Sequence, residues 1–318
     1  MSTSTAPGPR LTTPFGFAAT TGDVLDGVDL GGRRALVTGG TSGLGRETAR
    51  ALAAAGAEVV LGVRNADAGR RTAAEITAET GNPQVSVLTL DLADLTSVRA
   101  AAEAYGDRPL HMLIANAGIM ALPELTRTPQ GREMQFAVNF LGHYALTTAL
   151  HGALARAGDT ADGGARVAVL SSNAHLFAPP VFDDLDFRFR PYHPLGAYGE
   201  SKTADVLLAV EAARRWADDG ITANAVNPGA IATNLQQHTG GLRTPQERRK
   251  TPAQGAATPV LLAASPLLTG VTGRYFEDGA EAEPRDAAPP LFGGGVAPFA
   301  LDPGNAARMW EAARAFTG

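Results

Sequence analysis

The 318-residue chain has no cysteine. Disulfides and thiolate metal sites are therefore excluded. The absence also fits a cytoplasmic protein. No run approaches the roughly 18 uninterrupted apolar residues of a membrane-spanning helix, which argues against a membrane partner. Basic residues are not in excess: the net charge is −5 and the isoelectric point is near 5.7. That leaves no electrostatic footprint for nucleic acid. Residues 1–13 are rich in Ser, Thr and Pro and lack an apolar core, so they do not read as a signal peptide. There is no metal-ligand cluster, no internal repeat and no linker. What remains is ordinary globular composition, 44% hydrophobic and 19% charged. That is enough for a large core. One domain is expected over residues 31–318. A lead of residues 1–30 precedes it, partly disordered over 1–14 and folded back onto the body over 15–30.

The body reads as alternating strands and helices. Residues 34–38 form a β-rich run, a glycine-rich turn follows, and alanine-rich residues 46–55 suit a helix. Strand, glycine turn and helix in that order are the setting of a dinucleotide site. Glycines let the backbone approach a pyrophosphate, and the helix N-terminus offers it unpaired N–H groups. The loop residues are Gly39, Thr41, Ser42, Gly43, Leu44 and Gly45. Further strands are expected at 58–63, 85–90, 110–115, 166–170, 222–226 and 274–276. Helices are expected at 66–79, 94–105, 130–157, 197–216, 259–264 and 303–316. The apolar strands are short and helices intervene. This predicts an α/β, single-domain Rossmann fold: a doubly wound seven-stranded parallel sheet with helices on both faces.

A ligand crevice should lie at the carboxyl ends of those strands. Arg64 and Asn65 end the second strand, close to the spacing at which a residue reads the cofactor ribose. An acidic side chain there would accept from the 2′-hydroxyl of NAD. Arginine can instead pair with the 2′-phosphate of NADP. NADP(H) is therefore favoured, with NAD(H) the alternative. Asp91 and Leu92 end the third strand, and Asn116, Ala117 and Gly118 the fourth. Ser171 and Ser172 end the fifth, where a hydroxyl can hold a substrate oxygen. Asn139 is polar amid apolar neighbours; His143, nearby, reads as structural.

Tyr198 and Lys202 are four apart and so share one helical face. An ammonium beside a phenol favours the phenolate and lowers its pKa from about 10. A general acid/base near neutrality is the expected result.

Taken together, these residues resemble the short-chain dehydrogenase/reductase family. Thr38-Gly39-x-x-x-Gly43-x-Gly45 matches its cofactor loop. Asn116-Ala117-Gly118 and Tyr198-x-x-x-Lys202 match its next motifs, and Pro228-Gly229 with Ile231 and Thr233 matches its segment closing over the nicotinamide. The likeness runs from about Leu30 to Phe276. Asn139-Phe-Leu-Gly-His-Tyr-Ala-Leu-Thr147, Phe182-Asp-Asp-Leu185 and the tail 295–302 look like the retinol-dehydrogenase and WW-domain-oxidoreductase branch. That branch's membrane anchor and WW modules have no counterpart here.

The resemblance implies an oxidoreductase moving hydride between nicotinamide C4 and a carbonyl or alcohol carbon. It makes Tyr198 the acid/base and Lys202 its partner and a ribose contact. Ser172 rather than Ser171 becomes the substrate-oxygen donor, and Asn139 the holder of a relay water. Residues 176–195 and the lid segment 230–255 would line a pocket for a hydrophobic ketone or alcohol, through Leu176, Phe177, Phe182, Tyr192 and Leu235. Homo-oligomers occur in the family and are possible here. Two other readings use the same residues: a non-catalytic NADP(H)-binding sensor, and a reductase of conjugated C=C bonds.

Overall fold

The computed structural model describes residues 10–158, 164–290 and 292–318. The expectation of disorder near the N-terminus falls partly on residues 1–9, outside the described residues. After a short helix α1 (Thr21–Leu25), strands and helices alternate: β1 (Arg34–Thr38), α2 (Gly43–Ala54), β2 (Glu58–Val63), α3 (Ala66–Thr80), β3 (Val85–Thr89), α4 (Leu95–Tyr105) and β4 (Met112–Ala115). Next come α5 (Met134–Phe136), α6 (Gly142–Ala149), α7 (His151–Gly158), β5 (Ala165–Leu170), α8 (Pro194–Arg215) and β6 (Ile221–Asn227). The chain ends with β7 (Ala230–Ile231), β8 (Arg249–Lys250), α9 (Pro252–Ala264), β9 (Tyr275–Glu277), β10 (Ala280–Glu281), α10 (Pro298–Leu301) and α11 (Pro303–Thr317).

The main sheet has the order β10-β9-β6-β5-β4-β1-β2-β3. Seven strands are parallel, as expected; β10 adds a two-residue antiparallel edge. Strands β4 and β5 are buried along their whole length because helices cover both faces. One core lies under α4, α6, α8 and α11, the other under α2, α3 and α9. The chain runs outward from β1 to β3 and then returns to the far side of β1 as β4. The crevice therefore opens between the carboxyl ends of β1 and β4. Among the described residues no helix is long and apolar enough to cross a membrane.

The single helix expected over 130–157 is broken. A three-residue helix leads into a π-turn, Ala137–Leu141, where the Gly142 N–H reaches back five residues to the Ala137 carbonyl. Helices α6 and α7 follow, separated at Leu150. The cause of the close fit is at Gly142: a Cβ there would sit 2.4 Å from the Leu92 carbonyl oxygen. The helix hugs the loop after β3, and only glycine permits that approach.

Two other helices start earlier than their patterns suggest. Helix α8 begins at Pro194, whose fixed φ suits a first turn, and His193 caps it by accepting from Gly196 N–H at 3.0 Å. Helix α9 begins at Pro252 behind a Thr251/Gln254 capping box. At the chain's other end, Leu11 exchanges bonds with Glu281, so the lead is stitched to β10.

Candidate active site

The glycine loop is shaped by close approaches. Gly39 adopts φ +70, and a Cβ on Gly45 would lie 2.4 Å from the Gly39 carbonyl and 2.5 Å from Asn116 Nδ2. No side chain fits where α2 leaves the loop. Ser42 occupies the N-cap without making a cap bond. The first-turn N–H groups of α2, with Thr41, Ser42, Gly43 and Leu44 around them, are thus left for an anionic group. That is the observation by which the residues fit the pyrophosphate of a dinucleotide.

The neighbouring strand ends complete the rim. Arg64 is exposed just after β2 and forms no ion pair among the described residues. Asn65 caps α3 through Ala68 N–H at 3.0 Å, which occupies its side-chain oxygen. Asp91 accepts from Ala93 N–H, and Leu92 is buried against Gly142. Asn116 Nδ2 donates to the Thr38 carbonyl at 2.7 Å. The Thr38 hydroxyl accepts from Asn116 N–H and Ala117 N–H at 2.9 and 3.0 Å. Beyond β6, Gly229 packs on the Lys250 side chain and Thr233 lies over Gly43. Thr233 is thereby placed beside the glycine loop, as is Ile231, which meets Leu44 at Gly255, with β7 held by pairing to β8.

Four side chains converge beyond β4 and β5. Asn139, fully buried in the π-turn, accepts from Ile119 N–H at 2.8 Å and donates to the Ile119 carbonyl and the Ser201 hydroxyl. It fixes the segment after Gly118. Ser172 begins a short 3-10 helix and its hydroxyl bears on the Tyr198 phenol. Ser171 turns away, donating to the Lys202 carbonyl at 2.8 Å. Helix α8 brings Tyr198 and Lys202 together, with Nζ 5.8 Å from the ring centre. Helix α8 meets the Ser172 helix at Gly199, where a Cβ would lie 2.6 Å from Ala178 Cβ.

The expected lowering of the Tyr198 pKa is not what this arrangement gives. Burial raises it, the Lys202 charge and the Ser172 hydroxyl lower it, and the balance is upward. Lys202 is also raised: burial opposes its charge, but Asp205 and Tyr198 outweigh that. Its ammonium donates to Asp205 at 2.7 Å and to the Leu170 carbonyl at 2.9 Å. Asp205 was not legible as a site residue, although it lies on the Tyr198/Lys202 helix one turn further on.

Two histidines also stand behind the site. A carbonyl can only accept, so His143 Nδ1–H donates to Asn139 O at 2.6 Å and Nε2 accepts from the Thr38 hydroxyl at 2.8 Å. By the same logic His175 donates to the Ser172 carbonyl and accepts from Ala297 N–H. Burial lowers both to about 4, so both are neutral at working pH. Of the expected pocket residues, Phe182 is taken up by the Arg308 guanidinium, and the Tyr192 hydroxyl bonds Leu122 O and Gln135. Phe177 remains exposed.

The short chain dehydrogenase family profile matches residues 33–183. A "Probable oxidoreductase" of Streptomyces lividans is 55% identical over 300 residues, covering 89% of this chain and 97% of its own. Retinol dehydrogenase 12 of Mus musculus is 42% identical over 67% of this chain and 66% of its own. A solved short chain dehydrogenase from Escherichia coli CFT073, complexed with NADPH, superposes with a TM-score of 0.61 at 28% identity, covering 78% of this chain and 96% of that one. The chain belongs to the short-chain dehydrogenase/reductase family and resembles its retinol dehydrogenase branch. It is a nicotinamide-dependent oxidoreductase of small molecules, acting at CH–OH and C=O groups.

Proposed function

We propose that the protein is a cytoplasmic, NADP(H)-dependent carbonyl reductase/alcohol dehydrogenase of hydrophobic substrates, with Tyr198 as general acid/base. The convergence of Tyr198, Ser172, Lys202 and Asn139 beside the glycine loop carries the reading. A nicotinamide, held by Gly39–Gly45, Asn116–Gly118 and Pro228–Thr233, would supply or accept the hydride. Ser172 Oγ orients the substrate oxygen where charge develops. Tyr198 gives its phenolic proton to that oxygen in reduction and takes one back in oxidation. Held as the phenol at neutral pH, Tyr198 is ready for reduction, whereas oxidation needs its phenolate and should quicken as pH rises. Lys202 stabilises the phenolate. Asn139 fixes the backbone on which a relay water would sit.

Arg64, exposed and without a carboxylate, supports a 2′-phosphate and hence NADP(H). The apolar side chains left exposed before and at the start of α8, Phe177, Val181, Phe189 and Leu195, support a hydrophobic substrate. The test is Tyr198→Phe in single-turnover experiments with NADPH and a panel of ketones. Turnover should vanish while NADPH fluorescence still reports binding. Near wild-type hydride transfer would reject the role. Wild-type binding without consumption of NADPH by any substrate would favour a sensor, and saturated-ketone products from enones a C=C reductase.

A further inference from the structure

Lys202 is held from two sides. Tyr198 lies one turn before it on α8, and Asp205 nearly one turn after. Lys202 and Asp205 side chains are only 6% and 1% exposed, and they pair at 2.7 Å. The second carboxylate oxygen, Oδ1, is buried with no hydrogen-bond partner among the described residues. The groups around the ammonium are Tyr198 and Asp205 from its own helix, neutral His143 from α6, and the uncharged Leu170 carbonyl from β5. Tyr275 on β9 faces Tyr198 from behind and stays protonated, since burial raises it well above the ordinary phenol value.

We propose that Asp205 is a positioning residue: a buried counter-charge that fixes the Lys202 ammonium and sets the pH at which Tyr198 surrenders its proton. This rests on the oxidoreductase reading above. With Asp205 ionised, the Tyr198–Lys202–Asp205 cluster is neutral while the phenol keeps its proton and carries −1 once it is lost. With an uncharged residue at 205 the same step takes the cluster from +1 to neutral. Net charge in a dry interior is costly, so the carboxylate holds the proton on and its loss releases it. The conclusion holds for the first macroscopic deprotonation, whichever group gives up the proton. Burial, against the pull of Lys202, pushes Asp205 up to about 7, so it carries its charge in the alkaline range where the phenol titrates.

The experiment is the pH dependence of kcat/KM for alcohol oxidation. In Asp205→Asn the rising limb should move to lower pH by at least about one unit, a tenfold gain in rate on the old limb. Asp205→Glu should keep the limb where it is. A purely structural role would lower kcat/KM at every pH without moving the limb. An unmoved limb in folded Asp205→Asn therefore overturns the proposal. A second readout needs neither variant nor cofactor. The chain has two lysines, Lys202 and Lys250, so 15N-lysine labelling gives two side-chain signals. Lys202 should appear at pH 8 as a slowly exchanging ammonium, and a neutral-amine signal there overturns the proposal too. Full activity in Tyr198→Phe would sink the acid/base role of Tyr198 on which the proposal rests, leaving the lysine signal to judge the ion pair.

Discussion

Gly199 offers a mechanical test of how the site is assembled. It follows Tyr198 on α8 and faces the short helix that carries Ser172. An alanine methyl there would lie 2.6 Å from Ala178 Cβ and 2.7 Å from the Ala174 carbonyl. Carbon contacts become favourable at about 3.5 Å, so the two elements must part by nearly 1 Å. Two stability effects compete. Alanine gains about 1 kcal/mol over glycine in a helix interior. Overpacking costs about 1–3 kcal/mol, because one neighbour is backbone and cannot turn aside. The clash wins by up to about 2 kcal/mol or breaks even, and Tm should fall by up to about 4 °C, at roughly 2 °C per kcal/mol for a chain this long. The larger effect is catalytic. A displacement of about 1 Å between an acid and an orienting donor costs on the order of a hundredfold. Gly199→Ala should therefore lose about that factor in kcat, with NADPH affinity within threefold of wild type, because the glycine loop and Arg64 lie elsewhere. Steady-state kinetics with fluorescence titration of NADPH separates the two. Wild-type kcat together with a raised Tm would show that the α8–Ser172 contact does not set the geometry.

Arg64→Asp should weaken NADPH binding by roughly ten- to a hundredfold while leaving NADH within a few-fold, since the lost partner is a phosphate; equal changes in both affinities would refute the assignment. His143 and His175 should make stability fall with acid. Both are lowered to about 4 from about 6.5 when unfolded, so the unfolded state binds more protons between those values. Stability is complete above about 6.5 and is lost towards 4, by up to roughly 3 kcal/mol per histidine. Asp205, raised by burial, acts in the opposite sense below about 7, so the clean measurement is a difference. Urea midpoints at pH 7.5 and 5 should differ less in His175→Asn than in wild type, and an unchanged difference would count against a buried neutral ring.

The strands and the motifs at their ends were legible because both are local. Apolar runs of four to seven residues have one stable use in a chain that alternates with helices, and a glycine where Cβ would strike backbone can be nothing else. The break in the 130–157 helix was not legible. Its three glycines, Gly131, Gly142 and Gly152, did not mark where a helix would break, and Gly142 packs against Leu92, fifty positions earlier in the chain. Phe182 read as a pocket residue because its partner, Arg308, lies at the far end of the sequence. The Tyr198 pKa was misjudged for a related reason. The spacing showed the ammonium one turn away, which lowers it, but not the depth of burial, which raises it more.

The same distinction explains where rigidity in this site comes from. The Thr38 hydroxyl accepts from the two backbone N–H groups of the Asn116–Ala117 turn and gives its own proton to His143. His143 in turn holds the Asn139 carbonyl, and the Asn139 side chain holds Ile119 and Ser201, three residues from Tyr198. One chain of bonds thus runs from the end of β1, where the cofactor loop begins, to the helix bearing the phenol. The links from Thr38 to His143, from His143 to Asn139 and from Asn139 to Ser201 are buried, so breaking one of them strands a partner at about 1–3 kcal/mol. His143→Phe removes both bonds of the ring at once, leaving the Thr38 proton only the long contact to Ile114 O at 3.4 Å and loosening Asn139. It should therefore weaken NADPH binding and slow turnover together, although His143 itself reaches neither cofactor loop nor phenol. If only one of the two properties changed, the two halves of the site would be held independently and the continuous chain of bonds would have no functional consequence.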